Sequence, residues 1–327
     1  MKREFSRIVA VVAFSAMALI ATVHVHAQTY PVKPVRVIVP FAPGGGTDIL
    51  GRVIAAKLSE QVGQQFLVDN RPGAAGNVGL ELTVKSPPDG YTLLVGSSSE
   101  IGIGPSLYPR LTFDVQRDLV AAASLAATPM VLVVHPSLPV KSAKDLAELA
   151  RARPGQINYA SAGTGTGNHM SAEMFLHVTK TKMTHISYKG AGPALTDMVG
   201  GQVQVMFSTL PAAAALIKAN RLKALAVSSP QRAPSMPAIP TMFESGLPNY
   251  EVEYWYGFFA PAATPKDILV RINTESQQAL RNSDVNARLG QQGLQAIGKT
   301  PEQFAAFVKE DIAKWAMVVK ASGVKLD

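Results

Sequence analysis

The sequence contains no cysteine in 327 residues. That excludes disulfides, thiolate metal sites and cysteine nucleophiles, so stability must come from core burial alone. Charge is scarce at 17%, against 47% hydrophobic residues, a balance that suits packed cores and excludes disorder. The length allows two domains of ordinary size. The formal charge is +8, but the lysines and arginines are scattered, so no basic face for a nucleic acid is expected. Neither a Walker phosphate loop nor a Gly-x-Ser-x-Gly elbow occurs.

No apolar run long enough to span a bilayer follows residue 27. Before it, Met1 to Arg7 is basic, Ile8 to Val23 is apolar, and Val25-His26-Ala27 is a small-x-small cleavage site. Residues 1–27 therefore read as a secretory signal peptide, with an uncleaved anchor as the alternative. Lys2, Arg3, Arg7 and Glu4 would leave with it, bringing the mature chain to about +6.

The stretch around which the rest is organised is Val35 to Arg52. Val35, Val37, Ile38 and Val39 suit a buried strand that Pro40 and Pro43 end, since proline cannot donate to a sheet ladder. Gly44, Gly45 and Gly46 leave bare backbone, and Thr47 or Asp48 is placed to cap a helix carrying Ile49, Leu50, Val53, Ile54 and Leu58. Such a helix start favours an anion; a tight turn with no ligand is the alternative.

The pattern returns. Phe66 to Asn77 reads as a strand and a glycine-rich turn into a helix. Tyr91 to Gly96 reads as a strand running into Ser97-Ser98-Ser99-Glu100, at a strand's carboxyl end, where open α/β sheets place ligands. Met130 to Val134 is a strand, Ser142 opens a helix, and Ile157 to Ala160 is a strand leading into Gly163-Thr-Gly-Thr-Gly-Asn168 and a further helix. Val203 to Phe207, followed by Ser208 and Thr209, and Leu222 to Val227 are strands. Five prolines between 230 and 248 suit an extended return. Tyr250 to Phe259 is an aromatic strand. Thr264 and Thr300 cap helix starts, the last helix placing Phe304, Phe307, Val308, Ile312, Trp315 and Val319 on one face before Gly323. Alternating strands and helices predict an α/β architecture with largely parallel sheets, in two lobes around a cleft.

The Gly163 loop is no dinucleotide fingerprint, because Asn168 stands at its final glycine position and no acidic residue follows about twenty residues on. His169, Glu173 and His177 are spaced four apart on one helix, but no further ligand cluster accompanies them, so no metal is expected. His169 reads as ligand-facing or capping and His177 as a surface residue. No base and orienting acid accompany Ser97, Ser98 or Ser161, leaving a hydrolase remote. Tyr254-Trp255-Tyr256 reads as core or lobe contact, with stacking on a ligand ring as the alternative.

Several motifs together give the chain a resemblance to a known family. Val39-Pro-Phe-Ala-Pro-Gly-Gly-Gly-Thr-Asp48, Asp69-Asn-Arg-Pro-Gly-Ala-Ala-Gly-Asn77, Pro88-Asp-Gly-Tyr-Thr-Leu94, Tyr159-Ala-Ser-Ala-Gly163, Tyr188 to Asp197 and Gly200-Gly-Gln-Val203 stand in one order along the chain. With them the mature chain resembles the Bug family, the extracytoplasmic solute receptors of tripartite tricarboxylate transporters. The resemblance implies an α/β, two-lobed type II periplasmic-binding fold with a ligand cleft between its lobes. It implies a periplasmic monomer without catalytic activity or cofactor that delivers a small carboxylated metabolite to small and large membrane subunits; a sensor docking on a signalling protein is the alternative. Lobe 1 would comprise residues 28–126 and 249–327 and lobe 2 residues 127–248, with hinges near Ala127 and in the 230–250 return.

The implied ligand-binding positions are Phe41, Ala42, Pro43, Gly46, Thr47 and Asp48 in the first loop, and Ser97 and Ser98 in the next. From the second lobe come Ala162, Gly163, Thr164, Gly167, Asn168, His169 and Ser208. Main-chain N–H groups, hydroxyls and water can hold a carboxylate without a buried arginine. Two departures from the family pattern stand out. Ser208 occupies a position where many relatives carry aspartate, and Glu100 one where a small or uncharged residue is usual. Glu100 is expected to face water; pointing inward, it would repel a second carboxylate and favour an amide, hydroxyl or cation.

Overall fold

A computed structural model describes residues 30–322 apart from 249 and 251. The signal peptide expected over residues 1–27 and the helix end expected at Gly323 lie outside the described residues. The described residues from Lys33 onward form one unit, which carries everything that follows.

Its strands are β1 (Val35–Val39), β2 (Phe66–Asn70), β3 (Thr92–Ser97), β4 (Leu119–Val134), β5 (Asn158–Ser161), β6 (Thr184–Ser187), β7 (Val205–Thr209), β8 (Lys223–Val227), β9 (Glu253–Pro261) and β10 (Gln295–Ala296). They join in the order β2-β1-β3-β9-β4-β7-β5-β6, with β8 and β10 paired to β4. β1 lies parallel to β2 and β3, and β5 parallel to β6 and β7. Two halves of one topology thus flank a central antiparallel pair, β9 and β4. Each parallel set sends its carboxyl ends, with their glycine- and serine-rich loops, to one edge.

β4 belongs to both halves. Leu119 to Pro129 pairs with β9, whereas Met130 to Val134 pairs with β7 and β8. The sequence reading places a strand only from Met130 onward; the alanine-rich stretch before it is strand as well. Ala121, Ala122, Ala123, Ala126 and Ala127 are all buried, and the neighbouring β9 ladder outweighs their weak intrinsic preference for a strand.

Each half has its own core. In the first, Ile38, Leu94, Phe113, Trp255, Phe259 and Phe304 pack together; in the second, Val131, Val133, Leu195, Met198, Met206 and Leu210 do so. The last helix, Pro301–Ser322, buries Phe304, Val308, Ile312, Trp315 and Val319 as its sequence spacing predicts. Trp255 meets Phe304 edge-on at 5.6 Å. Thr300 accepts the Gln303 N–H while the Gln303 side chain takes the Thr300 N–H, a reciprocal cap. Thr264 instead turns its hydroxyl back to the Pro261 carbonyl, and the helix Lys266–Arg281 starts without a side-chain cap.

Candidate functional site

β1 ends in the loop 40–45, and the helix Gly46–Val62 begins directly behind it with Gly45 as its cap residue. Neither Thr47 nor Asp48 caps the helix. Asp48 lies in its first turn and reaches back, Oδ2 accepting the Gly44 N–H at 3.0 Å and Oδ1 accepting Asn70 Nδ2 at 3.0 Å beside Arg52 at 2.9 Å. Burial works to raise the Asp48 pKa, but the hydrogen bonds from Arg52, Gly44 and Asn70 outweigh it and hold the carboxyl below its ordinary value. Both oxygens are engaged in holding the loop. The Asn70 amide also donates to the Phe41 carbonyl at 3.0 Å.

The second glycine-rich loop joins β5 to the helix Gly167–Thr179. Its N–H groups meet protein acceptors: Gly163 donates to Ser161 Oγ, Thr164 to Ser187 Oγ, and Gly165 to His169 Nδ1. Asn168 Nδ2 donates to the Phe207 carbonyl at 2.7 Å, and Ser208 Oγ to the Thr209 carbonyl at 3.2 Å. Because Nδ1 of His169 accepts, its proton sits on Nε2, which faces Glu173 Oε1 at 3.7 Å. Burial pushes the His169 pKa down to about 4, so the ring is neutral at physiological pH. It stacks on His185 at 4.1 Å. Glu173 also accepts the Tyr159 hydroxyl, and His177 is exposed. Among the described residues no group of three histidines and carboxylates is arranged to hold a metal ion.

The two halves touch through these loops. The Ala42 N–H donates to the Lys189 carbonyl at 3.1 Å, the Tyr108 hydroxyl to the Thr164 carbonyl at 2.8 Å, and the Gly167 N–H to Ser99 Oγ at 2.8 Å. Between them lies a cavity of about 310 Å³ whose walls include Phe41 and Gly76 from one half and Ala162, Gly163, Thr164 and Lys189 from the other. Four of the expected positions, Phe41, Ala162, Gly163 and Thr164, line it. Gly46 is not among its walls and packs against Tyr256, Thr209 and Pro211. A second cavity, of about 330 Å³, sits where β4 changes sheets, among Thr128, Pro129, Pro230, Val252 and Leu294, and holds none of the expected positions.

Glu100 departs from its expected place in water. It is 1% exposed, drawn in because Ser97 caps the turn after β3 and Glu100 returns to the Ser97 N–H, a reciprocal capping box. Ser98 Oγ accepts the Trp255 N–H at 3.0 Å. Ser99, not singled out from the sequence, makes the bond to the other half. Nor did the sequence single out the hydroxyls of Tyr254 and Tyr256. Trp255 points into the core as expected, but the two tyrosines alternate to the other face of β9. Tyr254 Oη lies 2.8 Å from Ser97 Oγ and 2.6 Å from Ser99 Oγ. The buried hydroxyls of Tyr256 and Thr209 have no well-formed hydrogen bond. Period-two alternation with polar-tipped aromatics on either side of a tryptophan was the available signal.

Two α/β halves joined by the crossing strand β4, with loops of both closing on one cavity, define a two-lobed solute-binding protein of the type II periplasmic class. The chain belongs to the tripartite tricarboxylate transporter family of receptors, whose profile matches residues 50–324. It is similar to protein BugT of Bordetella pertussis, 39% identical over 99% of both chains. Among solved structures it is similar to Rpa4515 of R. palustris with adipate, at 35% identity and a TM-score of 0.88 over 90% of this chain and 99% of that one. MatC from Rhodopseudomonas palustris with bound malate is 33% identical, with a TM-score of 0.85 over 89% of this chain and 100% of that one. Family and neighbours are periplasmic binding and transport receptors, not enzymes.

Proposed function

We propose that the chain is exported by its N-terminal signal peptide and captures a small carboxylate between its lobes for delivery to the small and large membrane subunits of a tripartite tricarboxylate transporter. Lobe 1 comprises residues 28–126 and 249–327, and lobe 2 residues 127–248, with hinges near Ala127 in β4 and in the 230–250 return. The observation that carries this reading is the cavity of about 310 Å³ walled by glycine-rich loops of both halves. The adipate and malate of the two neighbours make carboxylates the ligand class to try first.

In this reading Phe41, Ala162, Gly163 and Thr164 form the walls, and the first-turn N–H groups of Gly46 and Thr47, which have no intrahelical acceptor, face the anion. Ala42 and Pro43 on one side and Gly167 on the other bring the lobes together. Asp48, Ser97, Ser98, Asn168, His169 and Ser208 hold the loops in shape.

Thermal unfolding of the mature protein with mono- and dicarboxylates, amino acids and aromatic acids tests this. A ligand of the native state adds about 2.7 kcal/mol of stability at a hundredfold excess over its Kd. A rise in midpoint confined to carboxylates is the expected result. No shift, together with no small molecule released on denaturation, would overturn the reading.

A further inference from the structure

The buried carboxyl of Glu100 ends a chain of hydrogen bonds that crosses from one half to the other. Its Oε1 accepts the Ser97 N–H at 2.7 Å and its Oε2 the Ser97 hydroxyl at 2.6 Å. With that proton committed, Ser97 Oγ accepts from Tyr254 at 2.8 Å, and Tyr254 Oη in turn accepts from Ser99 at 2.6 Å. Ser99 Oγ takes the N–H of Gly167 from the opposite half at 2.8 Å. Each hydroxyl has one proton to give, so the state of Glu100 sets the direction of the whole chain. An ionised Glu100 turns every O–H toward itself; a protonated one releases them.

Among the described residues no cation acts on that carboxyl. The titratable groups around it are the phenols of Tyr254 and Tyr256 on β9 and, across the same turn, Asp311 of the last helix, which accepts Trp255 Nε1 and lies against Gly102. All are neutral or acidic. On its other side Glu100 backs onto the cavity wall: a Cβ on Gly76 would stand 3.0 Å from Glu100 Cβ and 3.2 Å from the Phe41 ring. Gly76 and Phe41 both line the cavity. An anion in the cavity and an ionised Glu100, whose side chain lies against Gly76 of the cavity wall, would be two like charges in a low-dielectric interior.

We propose that Glu100 is a proton-linked specificity residue: the cavity accepts a carboxylate when Glu100 is protonated, so that above the pH at which Glu100 ionises, anion and proton are taken up together. The inference rests on the carboxylate reading of the cavity. Burial already pushes the Glu100 pKa up to about 8, and a bound anion raises it further. Affinity is therefore level well below pH 8 and falls above it, by up to about tenfold per pH unit, until the pKa of the complex is reached. A neutral amide ligand shows no such fall.

The test is titration calorimetry of the full mature chain with adipate and malate as probes, at about pH 6 and about pH 9 in buffers of different ionisation enthalpy. The expected result is binding without proton exchange at the lower pH and uptake of most of one proton at the higher. Glu100→Gln should bind with the same affinity at both and take up none. Binding by the wild type at high pH without proton uptake overturns the linkage, as does uptake that persists in Glu100→Gln. The wild-type measurement stands alone if the variant does not fold. No binding at the lower pH by either probe, or by any carboxylate of the thermal unfolding panel, is a separate result, and overturns the carboxylate reading together with this inference.

Discussion

Gly192 of one half and Pro43 of the other leave no room for a side chain between them: a Cβ on Gly192 would overlap the Pro43 carbonyl oxygen. Gly192 is the second residue of the helix Ala191–Val199 and is not among the positive-φ glycines. Alanine therefore suits its backbone and intrinsically favours the helix. The glycine is required only by the contact between halves, which also brings the Gly44 Cα to 3.6 Å from that Cβ position.

Gly192→Ala should accordingly leave each half intact while holding the loops apart. The unliganded protein should unfold at the wild-type midpoint or slightly above it. Carboxylate affinity should drop by at least about tenfold, a loss of about 1.4 kcal/mol. Thermal unfolding and calorimetry on the same preparation separate the two effects. Unchanged affinity would mean that the ligand-bound form does not bring Gly192 against Pro43.

Gly46 faces a comparable restriction inside the site. A Cβ there would overlap the Tyr256 hydroxyl and stand 2.7 Å from Thr209 Oγ1. Gly46→Ala is thus an overpacking change, expected to cost about 1–3 kcal/mol. Tyr256→Phe removes a buried hydroxyl that has no well-formed bond to lose, so alone it should be nearly neutral. The combined variant should recover part of the Gly46→Ala loss. Denaturant unfolding of the two single variants and the double gives the coupling, and strict additivity would show that the alanine clashes elsewhere.

What the sequence makes legible follows from what local pattern can encode. β-branched runs ending in proline and glycine locate β1 and its loop, because those residues act on their own backbone. The first part of β4, Leu119 to Pro129, is illegible, since alanine carries no strand preference and the pairing that makes it a strand comes from β9, more than a hundred residues away. Glu100 misleads for a similar reason. A glutamate after three serines reads as solvated, yet the capping box that turns it inward is a Ser-x-x-Glu pattern of a kind the sequence displays. Ser99, Tyr254 and Tyr256 acquire their roles only when β9 is laid beside β3, a pairing no spacing announces. Asp48 shows the opposite case: the residue is correctly placed at the helix start, but which atoms it holds depends on Asn70 and Arg52.

His169 gives the protein an acid-side weakness that can be separated from that of its carboxylates. Its pKa lies at about 4, pushed down by burial from an ordinary 6.5. As pH falls below 6.5, the unfolded chain therefore takes up a proton on this ring before the native chain does. The stability contribution is complete above about pH 6.5, is lost progressively down to about pH 4, and changes no further below, with a slope of up to about 1.4 kcal/mol per pH unit. His169→Asn keeps an acceptor near the Gly165 N–H and removes the titration. Denaturant midpoints for both proteins between pH 7 and pH 4 should converge as pH falls, the wild type losing more than the variant across that window. Parallel curves would mean that the ring already carries its proton in the native state, held there by Glu173.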